Sequence, residues 1–438
     1  QKWRWAGCPR SLPIVSKTFV SPSTCRSSPA PRRTLGPHAA YLLMAAVIGL
    51  ALFASATPSP LYEVYREQWH FSPFVLTLVF AVYAFGVLTT LLLVGRISDE
   101  VGRRPVLTVA LLALLVASAL FAVADGLATL FVARAIQGLA TGAAMGAASA
   151  ALLDLHPRRD AHGAGLANGT ASAGGLGLGA FVSALLVQYG PAPQRTPYLL
   201  LLVLFAVLLA GVRAMPEPVA ERRRPRLRPQ APRVPRSIRR PFLLAGLGVL
   251  SSWSIGGLFL SIGPELVAQL LDTRSHLAGG AAALALAGSG AVAQVLFHHV
   301  APWRATAIGS LALAGGMALV VGSLSVGSAV LFLAATAVTG MGFGVAFLGG
   351  LRALTAVVPD HHRGEVMSAF YVVAYASLSL PALAAGLVVD RLGLEPTFRV
   401  FGALVVVVAL VVAVEAWRSR PRTAARGAAA TAVAGDAA

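Results

Sequence analysis

The chain alternates between long apolar runs and short polar segments. Twelve runs can be distinguished, and each is close to the length of about 20 residues that a helix needs to cross the hydrocarbon core of a bilayer. This pattern predicts an all-α polytopic membrane protein with twelve transmembrane helices. The predicted spans are 39–60, 73–94, 105–124, 127–153, 163–189, 197–214, 242–263, 277–297, 305–325, 328–355, 366–389 and 397–417.

A proline-interrupted stretch of nine arginines, 222–240, separates six runs from six. It cannot pack a core, and we interpret it as a solvated linker near anionic headgroups. The N-terminal segment has no acidic residue and is rich in Ser, Pro and Arg, which is typical of a disordered tail or of a transit peptide. The predicted organisation is a disordered cytoplasmic tail over 1–38, a six-helix bundle over 39–214, an Arg/Pro-rich cytoplasmic linker over 215–241, a second six-helix bundle over 242–417 and a disordered cytoplasmic tail over 418–438.

Composition supports the membrane assignment. Apolar residues make up 57% of the chain, charged residues only 12%, and the mean hydropathy is +0.75, whereas soluble domains carry about 25% charged residues. Both cysteines, Cys8 and Cys25, lie in the N-terminal tail, so neither a disulfide framework nor a metal site is indicated.

The formal net charge of +18 raises the alternative of a nucleic-acid-binding surface. The position of the charges favours membrane topology instead. With both termini inside, inner segments hold 27 Arg and Lys and outer segments hold five. Because basic residues are enriched in cytoplasmic loops, we expect both termini in the cytoplasm and no nucleic-acid partner.

The segment between the second and third runs carries a recognisable motif. Residues 95–107 read Gly-Arg-Ile-Ser-Asp-Glu-Val-Gly-Arg-Arg-Pro-Val-Leu. This resembles the loop between helices 2 and 3 of the major facilitator superfamily, Gly-x-Leu-x-Asp-x-x-Gly-Arg-Lys/Arg-x-x-Leu, with departures at Ile97 and Glu100. The resemblance implies a gating role in alternating access for Gly95, Asp99, Gly102, Arg103 and Arg104.

The same resemblance implies contacts for this loop. Asp154 would pair with Arg103 or Arg104, and Asp99 would lie against the start of the eleventh helix near Gly364. An aspartate favours a helix N-terminus because of the unpaired N–H groups and the dipole there. These contacts would hold the inner ends of the two halves together in one state of the cycle.

The two halves also repeat one another. Gly138, Gly142 and Pro157 recur with the same spacing as Gly340, Gly344 and Pro359, about 202 residues later. Two six-helix halves with a substrate site between them are the arrangement of the facilitator fold. The second half lacks the motif loop, since the corresponding segment, 297–304, reads Phe-His-His-Val-Ala-Pro-Trp-Arg.

The fourth run contains Arg134-Ala-Ile-Gln-Gly138, which resembles the Arg-x-x-Gln-Gly motif of facilitator helix 4. A charge at that depth must face protein or water rather than lipid. The resemblance implies that Arg134 is associated with proton movement; an arginine that snorkels or binds backbone carbonyls is the alternative. No acid lies in the middle of a span, so Glu63 and Glu265 at outer ends are the further proton-coupling candidates, each also explicable as an interfacial residue.

Polar and aromatic side chains inside apolar spans are candidates for the substrate cavity. Interhelical hydrogen bonding or the interfacial aromatic belt would explain them equally well. The fifth run only partly resembles the antiporter motif, because Ala180 replaces its proline, so the direction of transport stays open. The cavity candidates are Tyr83, Gln137, Asn168, Trp253, Gln294, Tyr371 and Tyr375.

These features together predict a secondary transporter resembling the 12-helix drug/proton antiporters. We expect a multi-pass inner-membrane monomer that moves a small-molecule substrate with protons, without cofactor, metal or catalytic residues. The only lysines, Lys2 and Lys17, do not form a Walker A motif, and no hydrolase motif occurs. An uptake permease for a small organic solute and a non-transporting membrane sensor or scaffold are the alternatives.

Overall fold

The structure is a computed structural model that describes residues 35–94, 97–156, 160–219, 232–270, 275–359 and 362–420. Most of the two predicted tails, most of the predicted linker and Gly95 therefore lie outside the described residues. The bounds predicted for the tails and the linker stay predictions.

The described residues are almost entirely helical, with one short 3-10 turn at Arg236–Ile238. In the first half the helices are α1 (Pro37–Ala56), α2 (Leu61–Trp69), α3 (Pro73–Val94), α4 (Ile97–Val101), α5 (Arg103–Ala122), α6 (Leu127–Leu155), α7 (Ala161–Tyr189) and α8 (Thr196–Ala214). In the second half they are α9 (Arg239–Ser261), α10 (Gly263–Leu270), α11 (His276–Phe297), α12 (Pro302–Val326), α13 (Ala329–Thr355), α14 (Arg363–Leu392) and α15 (Leu394–Arg418).

Twelve helical segments in the described part of the chain are long and apolar enough to cross a membrane. Their outer surfaces are apolar as well, with Val109 68% exposed and Val330 79% exposed. A helix that is hydrophobic on all sides is stable in lipid, where its backbone groups are satisfied internally. The predicted all-α fold with twelve spans is confirmed.

The first span is broken near its end. α1 stops at Ala56 because Pro58 has no N–H to continue the helical hydrogen bonds. The chain resumes as α2, which buries Tyr62 and Tyr65 on one side and carries charged residues on the other. The second half has a similar break, where α9 ends and α10 begins two residues later. Neither α2 nor α10 was predicted from the sequence as a separate helix.

Each half has its own apolar core. Buried residues between positions 40 and 215 form one cluster, and those between 255 and 409 form another. The expected arrangement of two six-helix bundles is confirmed.

Glycines form an equivalent helix contact in each half. A Cβ atom at Gly138 of α6 would overlap with the carbonyl oxygen of Tyr83 on α3, and a Cβ atom at Gly340 of α13 would overlap with that of Leu286 on α11. The glycines are 202 positions apart and their partners 203. The repeat seen in the sequence is therefore a repeat of packing, because only a residue without a side chain permits this approach.

The halves meet along two pairs of helices, α7 with α11 and α3 with α14. The α7–α11 contact is close because it is lined by small residues, and a Cβ atom at Gly177 would lie 3.1 Å from the backbone nitrogen of Gly288. We call the membrane side with the connections at 97–102 and 298–301 the hairpin face, and the side with α2 and α10 the opposite face. The hairpin face is the one that the sequence predicts to be cytoplasmic.

Candidate functional site

Arg134 is fully buried in α6 and makes a dense set of hydrogen bonds. Its Nε donates to the Tyr62 hydroxyl at 2.9 Å, and its Nη2 donates to the same oxygen. Its Nη1 donates to the Ser55 carbonyl at 3.0 Å and to Gln137 Oε1 at 2.7 Å. These acceptors come from α1, α2 and α6, so the guanidinium joins three helices of the first half.

Aromatic rings surround the same guanidinium. The ring centres of Tyr62, Tyr83 and Phe121 lie 5.4, 5.5 and 5.7 Å from its central carbon. Such contacts stabilise a desolvated cation through the ring quadrupole. The hydrogen-bond acceptors are a phenol, an amide and a carbonyl, all neutral, so this buried charge is stabilised by dipoles and aromatic faces.

The acceptors for this network arise from the break in α1. A regular helix would hydrogen-bond the Ala54 carbonyl to the N–H of residue 58, but Pro58 has none. Gln137 Nε2 donates to that carbonyl at 2.9 Å instead, while Arg134 satisfies the neighbouring Ser55 carbonyl. Arg134 and Gln137 lie three apart and therefore on one face of α6. The Arg-x-x-Gln motif thus supplies donors to two carbonyls that the break in α1 leaves without helical partners.

An aromatic cluster lies between the halves. Trp253 on α9 packs against Tyr375 at 5.3 Å in an edge-to-face arrangement and against Phe347 at 5.7 Å. Tyr83 from α3 and Tyr371 from α14 belong to the same packed group. Tyr83 also faces Arg134, so it connects the aromatic cluster to the buried cation. The structure brings these four cavity candidates together.

Several buried polar atoms near the contact between the halves have no hydrogen-bond partner. They include Trp253 Nε1, Asn168 Oδ1 and Gln294 Oε1, all from cavity candidates, and Thr170 Oγ1. A Cβ atom at Gly169 would overlap with Gln294 Oε1, so the Gln294 side chain reaches across from α11 to α7. Unpaired buried polar groups are unfavourable, and each is a site that a ligand or water can satisfy.

The proton-coupling candidates Glu63 and Glu265 lie at the opposite face, where they join the halves. Arg66 Nη1 of α2 donates to Glu265 Oε2 of α10 at 2.6 Å. Glu63 Oε2 lies 3.9 Å from His276 Nδ1 at the start of α11. Both pairs are partly buried, which reduces their screening by solvent.

Two uncharged contacts reinforce this closure. Ser59 Oγ donates to the Leu260 carbonyl at 2.6 Å, and the His276 backbone N–H donates to Gln188 Oε1 at 3.1 Å. Each of these bonds also crosses from the first half to the second. The opposite face is therefore closed in this structure.

The motif loop is organised around Arg103 at the hairpin face. Its Nε donates to Asp154 Oδ2 at 3.1 Å, and its Nη1 donates to Ser98 Oγ at 2.8 Å and to Asp99. Arg103 is only 8% exposed. The contact with Asp154 is the pair that the family resemblance implies, and it fixes α5 to the end of α6.

The other loop candidates are placed differently. Asp99 binds Arg103 within the loop, and its side chain is 57% exposed. Within the described residues, no hydrogen bond or ion pair joins Asp99 to the start of α14 near Gly364. Gly102 precedes α5 with a φ of +113°, which favours glycine. The Arg104 guanidinium donates to the carbonyl of Arg213 at the end of α8.

Asp160 caps the N-terminus of α7 at the hairpin face. Its carboxylate accepts hydrogen bonds from the backbone N–H groups of His162 at 2.9 Å and Gly163 at 3.0 Å. These bonds stabilise the charged form and lower the pKa of Asp160 below its usual value. The cap therefore stays ionised under mildly acidic conditions.

The second half replaces the motif loop with a simpler contact. Arg352 Nη1 near the end of α13 donates to the carbonyls of His298 at 2.6 Å and Val300 at 3.0 Å. In the first half, Arg103 of the motif loop is the cation and Asp154 of α6 is the acceptor. In the second half, the cation is on α13 and the acceptors are in the connection between α11 and α12. The role of Arg352 could not be predicted from the sequence, because its acceptors are backbone carbonyls and any residue type supplies those.

The family assignment follows from the chain as a whole. Residues 43–380 match the family model described as Major Facilitator Superfamily, which is more than half of the chain. The chain belongs to the major facilitator superfamily.

Curated relatives of this facilitator are resistance proteins. It is 32% identical over 186 residues to the puromycin resistance protein pur8 of Streptomyces alboniger, a match covering 40% of this chain and 34% of the relative. It is 38% identical over 79 residues to the multidrug resistance protein MdtL of Vibrio parahaemolyticus, covering 18% of this chain and 20% of the relative. These matches thus cover about a third or less of the length of the relatives.

Solved structures share the fold of this facilitator. The human organic anion transporter MFSD10 (TETRAN) aligns with a TM-score of 0.62 and 17% identity, covering 86% of this chain and all of that one. The xylose transporter XylE from E. coli, in a partially occluded inward-open conformation, aligns with a TM-score of 0.68 and 12% identity, covering 88% of this chain and all of that one. These likenesses establish the architecture of the helices.

Proposed function

We propose that this facilitator is a secondary active transporter that exports small organic compounds, including drugs, in exchange for protons by alternating access. The observation that carries the proposal is an aromatic and polar cluster buried between two repeated halves, closed at one face by contacts that cross between them. Resistance proteins among the relatives support export.

The hairpin face is proposed to be cytoplasmic, in agreement with the excess of basic residues there. Opening of the opposite face then requires rupture of the contacts between α2 and α10. The loop around Arg103, with Asp99, Gly102, Arg104 and Asp154, is proposed to control the hairpin face. Rigid-body rocking of the halves exchanges one closure for the other.

Substrate is proposed to bind at the cluster of Trp253, Tyr371, Tyr375 and Tyr83. Aromatic faces suit planar, amphiphilic organic molecules, and the unpaired Trp253 N–H supplies a donor. Asn168 and Gln294 supply further unpaired polar atoms near the contact of α7 with α11. Together these side chains offer aromatic faces and unpaired polar atoms that a bound substrate would satisfy.

Proton coupling is proposed to begin at Glu63 and Glu265. Protonation of Glu265 removes its ionic attraction to Arg66 and weakens the closure of the opposite face. α2 carries both Arg66 and, one helical turn earlier, Tyr62, the partner of Arg134. Movement of α2 therefore transmits the protonation state to the buried arginine, which also contacts Tyr83 of the substrate cluster.

Everted membrane vesicles test the function directly. Respiration acidifies their interior, and a substrate exported into them in exchange for protons dissipates the pH gradient. We expect dequenching of a pH-sensitive dye when a panel of compounds that includes puromycin is added, and no dequenching in vesicles without the protein. Uptake of the compound into the vesicles without proton movement would exclude proton coupling. Movement of the compound out of the vesicles would indicate an uptake permease. Absence of any flux would favour a sensor or scaffold.

The closure of the opposite face is tested by exchanging its charges. Arg66→Glu or Glu265→Arg alone places like charges together and is expected to increase opening of this face roughly tenfold, with the double exchange restoring closure. The reporter is Ala56→Cys, which is buried beside Leu260, in a chain with Cys8 and Cys25 replaced by Ser. Labelling by a membrane-impermeant maleimide measures opening.

Glu395 and Arg399 provide the matched control. They form an ion pair within α15, at the same membrane face. Exchanging their charges is expected to leave labelling of Ala56→Cys unchanged. Equal labelling of the single Arg66 and Glu265 variants and the unaltered chain would contradict the proposed closure.

A further inference from the structure

The first turn of α5 receives its cap from a distant part of the chain. The residue before the helix, Gly102, has no side chain and forms no cap. Instead, Glu217 Oε1 accepts a hydrogen bond from the Arg103 backbone N–H at 2.9 Å, and Oε2 accepts one from the Arg104 N–H at 3.0 Å. The carboxylate comes from a residue more than a hundred positions later, just after α8.

Glycine at position 102 permits the close approach of Glu217 as well as the turn before α5. A Cβ atom at this position would lie 2.8 Å from Glu217 Oε2, closer than such contacts occur in proteins. The absence of a side chain at the motif glycine thus leaves room for the carboxylate. A carboxylate at a helix N-terminus satisfies unpaired N–H groups and interacts favourably with the helix dipole.

The connection between α5 and α8 is reciprocal. Glu217 binds the N–H groups at the start of α5, while the Arg104 side chain binds the Arg213 carbonyl at the end of α8. Each helix end therefore supplies a partner for the unpaired backbone groups of the other. The two contacts hold the start of α5 against the point where the chain leaves the first half.

We infer that Glu217 is a positioning residue for the motif loop. It fixes the backbone of Arg103, whose side chain binds Asp154 and Asp99, without contacting substrate itself. Loss of the cap would release the first turn of α5 and disturb the contacts of the Arg103 side chain with Asp154, Ser98 and Asp99. The inference rests on the proposed transport function only for its effect on rate, since the capping contact stands on geometry.

The test compares Glu217→Gln and Glu217→Ala with the unaltered full-length chain. Glutamine keeps the volume but replaces one carboxylate oxygen with an NH2 group, which cannot accept a hydrogen bond from the second N–H, and it removes the negative charge from the helix N-terminus. We expect faster hydrogen exchange in the peptide that contains Arg103 and Arg104. Transport is expected to fall about fivefold in kcat with KM unchanged, because loss of a helix cap lowers the stability of the ordered first turn by about that factor.

Glu415→Gln is the matched control, because Glu415 lies at the same face and binds Arg418 within α15. It is expected to change neither exchange near Arg103 nor kcat. Unchanged exchange in both Glu217 variants would overturn the capping role, and faster exchange with unchanged kcat would overturn the positioning role. If the unaltered chain transports nothing, the proposed function fails, while the exchange measurement still decides whether Glu217 caps α5.

Discussion

Replacing Arg134 with alanine is expected to abolish transport and to lower the stability of the first half. The change leaves the Tyr62 hydroxyl, the Ser55 carbonyl and Gln137 Oε1 without their donor in a site closed to solvent. Hydrogen bonds to charged groups contribute about 1.5–3 kcal/mol each to stability, so the loss of several is expected to destabilise the contacts of α6 with α1 and α2 by several kcal/mol and to leave no measurable transport. Substrate-dependent proton flux measures the effect.

Arg134→Lys separates function from folding. Lysine keeps the positive charge but cannot reproduce the planar set of donors that reaches three helices. We expect this variant to be inserted and monodisperse by size-exclusion chromatography, yet strongly impaired in transport. Arg195→Ala, at an exposed position before α8, is the control, and its proton flux should equal that of the unaltered chain. Normal flux in Arg134→Lys would show that charge alone is required and that the hydrogen-bond geometry is not.

The second large effect is expected from a single methyl group at Gly138 or Gly340. In each case the new Cβ atom would overlap with a backbone carbonyl oxygen of a neighbouring helix, Tyr83 or Leu286. Backbone atoms cannot move aside as a flexible side chain can, so the helices must separate. We expect Gly138→Ala and Gly340→Ala each to destabilise the protein by about 3 kcal/mol or more.

Two other glycines make this prediction specific. Gly315 and Gly322 of α12 have no atom within 4 Å of the corresponding Cβ position. Alanine there should be neutral or slightly stabilising, because it favours the helix. Thermal denaturation followed by size-exclusion chromatography gives the melting temperature of each variant. Equal melting temperatures for Gly138→Ala and Gly315→Ala would refute the close helix contact.

The helices that span the membrane were predictable because lipid imposes a strict requirement. A crossing segment must be long, apolar and internally hydrogen-bonded, and this is visible in sequence without knowledge of any neighbour. α2 and α10 were not predicted because they are short and amphipathic, and each follows directly on a longer apolar run. Their burial depends on the helices packed around them.

The candidate site was predictable in part for a similar reason. A buried arginine within an apolar run must have partners, so Arg134 could be identified, but Tyr62 and the freed carbonyl of Ser55 depend on the break at Pro58. Arg66 and His276 were missed because their acidic partners, Glu265 and Glu63, belong to the other half. Glu217 was missed because a single acid in a polar segment has no periodic pattern.

The nine-residue helix α2 has a consequence for inhibition. Its Tyr62 hydroxyl accepts a hydrogen bond from the buried Arg134, and its Arg66 binds Glu265 of the second half. Under the proposed mechanism, a molecule that binds this helix at the opposite face would hold the protein in a single conformation without entering the cavity. Such an inhibitor need not resemble any substrate, and proposed export would not remove it.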